Sequence, residues 1–123
     1  MPDINYVLLY VDSPPASAKF YGDLLGKSPL DVSPTFALFA MNAGLMLGLW
    51  SKSGVEPKPA GAPGGSEIAI KVGDADAVHA THADWVKRGL PIAQAPTDMD
   101  FGPTFVALDP DGHRLRVFAT AAP

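Results

Sequence analysis

The residues best suited to chemistry lie near the C-terminus, between Phe101 and Phe118. An apolar, β-branched run is followed by the turn residues DPDG and then by a segment that alternates charged with apolar residues, a pattern typical of a β-hairpin. Because side chains alternate between the two faces of a strand, Arg114, Arg116 and Phe118 share one face. Two guanidinium groups and an aromatic ring on one face suggest the wall of a pocket.

The elements that position this strand occur in two similar runs. The first run is a strand at Tyr6–Val11, a helix from the Ser13 N-cap to about Leu25, and short strands at Pro29–Val32, Thr35–Met41 and Leu45–Trp50. The second is a strand at Glu67–Val72, a helix at Asp74–Arg88, and strands at Leu90–Ala95, Thr104–Asp109 and Arg114–Ala119. Strand, helix and three strands therefore occur twice, and the second opening strand ends 61 residues after the first.

A Pro- and Gly-rich segment separates the two runs, since SKSGVEPKPAGAPGG can continue neither a strand nor a helix. We predict a first βαβββ unit at residues 1–51, a linker at 52–64 and a second unit at 65–123. A chain of 123 residues is expected to form one structural domain overall. The predicted fold class is α+β.

Three motifs in this order resemble those of the vicinal oxygen chelate superfamily. They are FYGDLLG at Phe20–Gly26, the strand end before an acidic helix start at Val72–Asp76, and the DPDGH turn. The superfamily includes glyoxalase I, extradiol dioxygenases and the bleomycin and phenazine resistance proteins. The resemblance covers nearly the whole chain and implies two βαβββ units forming a half-open, cup-shaped barrel of mixed β-sheet. The runner-up, a ferredoxin-like domain, needs βαββαβ, and three strands after each helix argue against it.

The resemblance also assigns the positions where metal-dependent relatives hold an ion inside the cup. These positions fall at Tyr6 and Glu67 on the opening strands, and at Gly48 and Arg116 on the closing strands. Only Glu67 is a usual ligand for a divalent metal, and Arg116 brings a permanent cation to the place of the ion. We therefore expect no metal and no other cofactor.

The superfamily geometry implies that Glu67 and Arg116 project from neighbouring strands. Either charge alone in a partly dry pocket costs several kcal/mol, so we predict that the two form an ion pair in place of the metal. Lys71 and Arg114 share those faces and are free to pair with an acidic ligand or to reach solvent. The alternative is that all four are ordinary surface charges.

The other positions that the resemblance places in the cup favour a flat apolar ligand. Counting in twos from Gly48 puts Met46 and Trp50 on its face, and Gly48 between them leaves a slot where a ring can approach the backbone. The remaining expected ligand contacts are Tyr6, Leu8, Tyr10, Phe118 and Phe101, the last of them in a loop at Thr97–Gly102. The alternative is that Trp50 and Phe118 only fill the barrel or bury a dimer contact. The register of Phe36, Phe39 and Phe105 stays open.

Composition excludes several other functions. A net charge of −4 gives no support to nucleic-acid binding, and the absence of cysteine excludes disulfides and thiolate chemistry. The N-terminal apolar run is too short to span a bilayer and has no cationic region before it, so no membrane contact and a cytoplasmic location are expected. No GxSxG, HExxH, P-loop or GxGxxG motif is present. A homodimer is expected, because superfamily members of this size commonly dimerise.

Three functions remain, and the resemblance implies the first two. The first is a metal-independent protein that sequesters a small planar aromatic compound, such as an antibiotic, in the manner of the phenazine (griseoluteate-type) resistance proteins. The second is a metal-dependent enzyme of glyoxalase or dioxygenase type, which requires the predicted register to be wrong by one residue on at least two strands. The third is a metal-free enzyme in which Glu67, beside Arg116, acts as a general base.

Overall fold

The computed structural model describes residues 2–121, which divide into two compact units, one up to Gly61 and one from Ala62. The predicted outer bounds at residues 1 and 123 lie outside the described residues. The first unit contains β1 (Tyr6–Val11), α1 (Pro14–Leu25), β2 (Asp31–Val32), β3 (Phe36–Ala40) and β4 (Met46–Ser51). The second contains β5 (Glu67–Lys71), α2 (Ala75–Lys87), β6 (Ile92–Met99), β7 (Gly102–Leu108) and β8 (Arg114–Phe118).

Each unit is a four-stranded mixed sheet with one helix. The strand orders are β1-β4-β3-β2 and β5-β8-β7-β6, and in both sheets the first pair is parallel while the other pairs are antiparallel. Three strands after each helix give the βαβββ connectivity predicted from the sequence. The α+β prediction is confirmed.

The first helix begins and ends at the predicted signals. The Ser13 hydroxyl accepts a hydrogen bond from the Ala16 amide, and prolines fill the first two helical positions, where no amide partner is needed. Gly26 closes the helix at φ 64°, a left-handed conformation that suits glycine. The side chains of Ser17, Ala18 and Tyr21 are buried, whereas Ala16 is exposed.

The second unit packs an aromatic core between its helix and its sheet. Phe105 on β7 is fully buried and makes T-shaped ring contacts with Trp85, at 5.4 Å between ring centroids, and with His82, at 5.2 Å. Phe39 on β3 is buried in the first unit. Two of the three phenylalanines whose register the sequence left open are therefore core residues.

Most strands begin or end at residues other than those predicted, and the second and sixth strands show this clearly. The second strand is only two residues long, Asp31–Val32, although Leu30 still donates a backbone hydrogen bond to Leu38. The sixth strand runs on to Met99, so Thr97–Met99 belongs to a ladder with β7 and the predicted loop shrinks to a turn around Asp100. No helix within residues 2–121 combines the length and the apolar content that a membrane span requires.

Candidate functional site

Arg116 is the centre of a hydrogen-bond network on the face of the second sheet opposite its helix. Its Nε donates to Glu67 Oε2 at 2.5 Å, and its Nη2 donates to Glu67 Oε1 at 3.3 Å. Its Nη1 donates to Thr104 Oγ1 at 3.1 Å and to Gln94 Oε1 at 3.3 Å. These four residues come from the four strands of the sheet, so one guanidinium connects every strand. The predicted pairing of Glu67 with Arg116 is present in the structure.

This ion pair is less exposed than the surface pairs of Lys19 with Asp23 and of Arg88 with Asp84. The side chains of Arg116 and Glu67 are 18% and 32% exposed, and Thr104 is fully buried. The Thr104 hydroxyl donates to the Val117 carbonyl at 2.9 Å and so presents a lone pair to the guanidinium. A two-point contact between guanidinium and carboxylate fixes the orientation of both groups.

Two aromatic rings border the guanidinium. The Arg116 Cζ lies 5.9 Å from the centroid of the Phe101 ring, a cation–π distance, and Phe101 meets Phe118 edge to face at 6.0 Å between centroids. Phe101 stands at the turn between β6 and β7. Its carbonyl accepts a hydrogen bond from the Ala121 amide at 2.8 Å, which ties the turn to the segment after β8.

Of the four positions assigned to a metal, only Glu67 carries one of its usual donors. Tyr6 pairs with Met46 and Leu8 with Gly48, while Glu67 pairs with Arg114 and Ala69 with Arg116, so the two units have the same strand register. Gly48 thus corresponds to Arg116. Both oxygens of the carboxylate at Glu67 are already bound to the guanidinium. Within residues 2–121 no three His, Asp or Glu side chains cluster in a way that holds a metal ion.

The corresponding face of the first sheet is aromatic and apolar. Tyr6, Leu8 and Tyr10 are 53%, 42% and 39% exposed. Trp50 is half-buried and lies opposite Tyr10 in the parallel pair, with the two rings edge to face at 6.3 Å between centroids. Met46 and Trp50 share this face with Gly48, as the count in twos predicts.

The space above Gly48 is filled by side chains of the same unit. A methyl group placed on Gly48 would lie 2.6 Å from Leu8 Cδ2 and 2.8 Å from Phe36 Cζ. Gly48 is buried beneath them, so a ligand ring would meet Leu8 and Phe36 rather than the Gly48 backbone. The prediction of an open slot above Gly48 is therefore wrong. The absence of a side chain at Gly48 instead allows Leu8 and Phe36 to pack against β4 at this point.

Three residues of these faces were not among the predicted site residues. Phe36 lies directly opposite Trp50 in the antiparallel pair of β3 and β4, and Gln94 and Thr104 are the further partners of Arg116. The pairing of Phe36 follows from the short turn between its strand and β4 once the strand ends are known. Gln94 gave no signal, because its strand carries a register shift on either side of it.

The fold and motifs agree with a known family. The family model for the glyoxalase/bleomycin resistance protein/dioxygenase superfamily matches residues 3–117, and the chain belongs to this superfamily. It is 33% identical over 117 residues to the phenazine antibiotic resistance protein EhpR of Enterobacter agglomerans, an alignment that covers 92% of this chain and 88% of EhpR.

Solved structures show the same fold. A protein of Agrobacterium tumefaciens, determined by NMR in solution, is 48% identical with a TM-score of 0.90, and the match covers 99% of this chain and all of that one. A glyoxalase-related enzyme from Fulvimarina pelagi matches with a TM-score of 0.84 at 22% identity, over 98% of this chain and 89% of its own. At that identity the second likeness concerns the fold alone.

Proposed function

We propose that this protein binds and sequesters a small planar aromatic compound, such as an antibiotic, without a metal ion. The observation that carries the proposal is the Glu67–Arg116 pair, in which both carboxylate oxygens accept hydrogen bonds from a guanidinium at a position that the family resemblance assigns to a metal ligand. A charge pair that satisfies itself removes the need for a cation. The similarity of this chain to a protein named for phenazine antibiotic resistance supports the same function.

The aromatic face of the first unit supports a flat ligand. Trp50, Tyr10 and Phe36 adjoin one another on one face of the sheet, and Tyr6 and Leu8 leave exposed apolar area beside them. Aromatic side chains stack on planar heterocycles, with a gain of roughly 1–3 kcal/mol for each stacked ring in comparable sites. A planar compound bound to this face would therefore bury apolar surface that is otherwise exposed to water.

The glyoxalase- or dioxygenase-type alternative finds less support in the strand register. It needs a register one residue away from the prediction on at least two strands. In the observed pairings Tyr6 and Gly48 share one face of the first sheet, and Glu67 and Arg116 share one face of the second.

A metal-free enzyme with Glu67 as general base is the second candidate. It is favoured by the exposed fraction of the Glu67 side chain, 32%, which leaves room for a substrate hydrogen to approach the carboxylate. Turnover of a bound compound that disappears in Glu67→Gln, with binding retained, would establish this function. Unchanged compound recovered after prolonged incubation would support sequestration alone.

Fluorescence titration tests the main proposal. The chain has two tryptophans, and Trp85 is buried in the core, so Trp85→Phe leaves Trp50 as the sole reporter. We expect phenazines or other planar heteroaromatic compounds to quench Trp50 emission with micromolar affinity. Calorimetry should show roughly tenfold weaker binding for Trp50→Ala, as expected from one lost stacking contact. Absence of quenching across the panel, or unchanged affinity of Trp50→Ala, would contradict the proposal.

A further inference from the structure

The face of the first sheet that carries Trp50 has a glycine at its centre. Gly48 pairs directly with Leu8 on β1 and with Leu38 on β3, so these three residues form one row across the sheet. The rows on either side of it consist of Tyr10, Trp50 and Phe36, and of Tyr6, Met46 and Ala40. Because glycine has no side chain, this position alone would leave a depression among its neighbours.

The ends of two side chains occupy that depression. A methyl group on Gly48 would lie 2.6 Å from Leu8 Cδ2, 2.8 Å from Phe36 Cζ and 3.2 Å from Phe36 Cε1, and outside the adjacent residues of the chain these are the three nearest atoms. Phe36 is opposite Trp50 in the strand pair, so its ring reaches diagonally to lie over Gly48. Leu8 and Phe36 therefore supply the surface on which a ligand ring would lie.

This surface favours contact with a flat molecule. Leu8 is 42% exposed and Phe36 is half-buried, so both are accessible from solvent. A flat ring system can contact both side chains at once, whereas a group that projects from the ring plane holds the ring away from them. A gap of about 0.5–1 Å already removes roughly a quarter to a half of the dispersion attraction of each contact.

We propose that Leu8 and Phe36 determine specificity, because they restrict the ligand to fused ring systems with no group projecting from the ring plane toward β4. The inference rests on the proposed function, in which a planar aromatic compound binds at this face. It adds the physical reason for the planarity and the two side chains that impose it. Gly48 permits this arrangement, since a side chain there would displace the ends of both.

Acridine and 9-phenylacridine test this selection, because they share one ring system and the phenyl group of the second is twisted out of its plane. Fluorescence titration at a pH where both compounds are neutral measures the two affinities. We expect the unmodified protein to bind acridine about tenfold more tightly than 9-phenylacridine. In Leu8→Ala this ratio should fall to about twofold or less, because the shortened side chain leaves space for the edge of the phenyl group.

The control is Leu30→Ala, which removes the same atoms from a leucine that is 61% exposed and adjoins β2, two strands away from β4. Its ratio of affinities should equal that of the unmodified protein. A second variant, Gly48→Ala, adds the methyl group that displaces both side-chain ends. It should bind acridine about fivefold more weakly or worse, because the contact surface is no longer even. Thermal unfolding verifies that each variant is folded.

Equal affinities of the unmodified protein for the two acridines would overturn the inference and leave the proposed function standing. A ratio that stays the same in Leu8→Ala, or acridine binding that is unchanged in Gly48→Ala, would do so as well. Failure of the unmodified protein to bind either compound would overturn the inference together with the proposed function.

Discussion

At the scale of single residues, the guanidinium of Arg116 links the four strands of the second sheet by hydrogen bonds. It bonds to Glu67, Gln94 and Thr104, so that every strand of this sheet contributes one residue to the network. Removing one partner from a buried charged group leaves the other unsatisfied, which costs more than the loss of an exposed pair.

A double-mutant cycle measures the strength of this pair. We expect Arg116→Met to lower the free energy of unfolding by about 1–3 kcal/mol in urea denaturation, because the Glu67 carboxylate and the Thr104 hydroxyl lose their donor. Combined with Glu67→Gln, the cycle should give a coupling energy of about 1 kcal/mol or more. The same cycle on Lys19 and Asp23, whose side chains are 79% and 64% exposed, should give about 0.5 kcal/mol or less. Equal couplings for the two pairs would contradict this account.

At the scale of elements, the turn between β6 and β7 depends on Gly102. This residue has φ 138°, and a methyl group on it would collide with the backbone carbonyl oxygen of Ala119. The backbone of the last described segment therefore lies directly against the turn. A side chain at this position would strain the backbone and separate the turn from that segment.

We predict that Gly102→Ala lowers the free energy of unfolding by about 3 kcal/mol or more, since neither the backbone angle nor the carbonyl can give way cheaply. Gly65→Ala is the matched control, because that glycine has no atom near the added methyl group and no positive φ. Its stability should change by no more than about 0.5 kcal/mol. Thermal and urea unfolding of both variants would check this, and similar stabilities would disprove the role of the turn.

The core of the second unit offers another comparison. Phe105 is fully buried between the helix and the sheet, whereas Phe101 at the turn is 42% exposed. Phe105→Ala should cost about 3–5 kcal/mol, the usual loss for a buried phenylalanine, and Phe101→Ala about 1 kcal/mol or less. The reverse ranking in urea unfolding would show that the two rings have been assigned the wrong roles.

Element types were predictable from the sequence where local signals were strong. Ser13 with two prolines marked the start of the first helix, Gly26 marked its end, and alternation fixed the face of Arg116. The sequence could not show that β6 continues to Met99, because the residues around Pro96 have the composition of a loop and pair only through β7.

The ion pair of the candidate site was predictable from the sequence, whereas the packing of side chains around Gly48 was not. The pairing of Glu67 with Arg116 followed from the charges of the two side chains and from the strand positions that the superfamily resemblance assigns to them. A partly buried guanidinium is costly unless a carboxylate neutralises it. The filling of the space above Gly48 depends on how far Leu8 and Phe36 reach across the sheet. Such packing is set by tertiary structure and leaves no periodic trace in the sequence.

At the scale of the whole molecule, the two units repeat one strand register with different side chains. The face of the first unit is aromatic, and that of the second is charged around Arg116.

Metal analysis of the purified protein should find far less than one equivalent of zinc, iron, nickel or manganese per chain. Stoichiometric metal that survives dialysis would contradict the proposed substitution of the ion by a charge pair.

Assembly is a separate prediction at this scale. We expect a homodimer, because the outer strands of open sheets expose unpaired backbone groups that association can cover. Solution scattering should then give a mass twice that of the 12.9 kDa chain. A mass equal to one chain would refute this prediction without affecting the ligand proposal.

The most direct test of the central claim is an NMR titration of protein from which metals have been stripped with a chelator. The two tryptophans give two indole N–H signals, one from Trp50 on the open face and one from buried Trp85. Addition of a phenazine should shift the Trp50 signal in a saturable way and leave that of Trp85 nearly unchanged. A ligand that shifts neither signal until a divalent metal is restored would contradict the account.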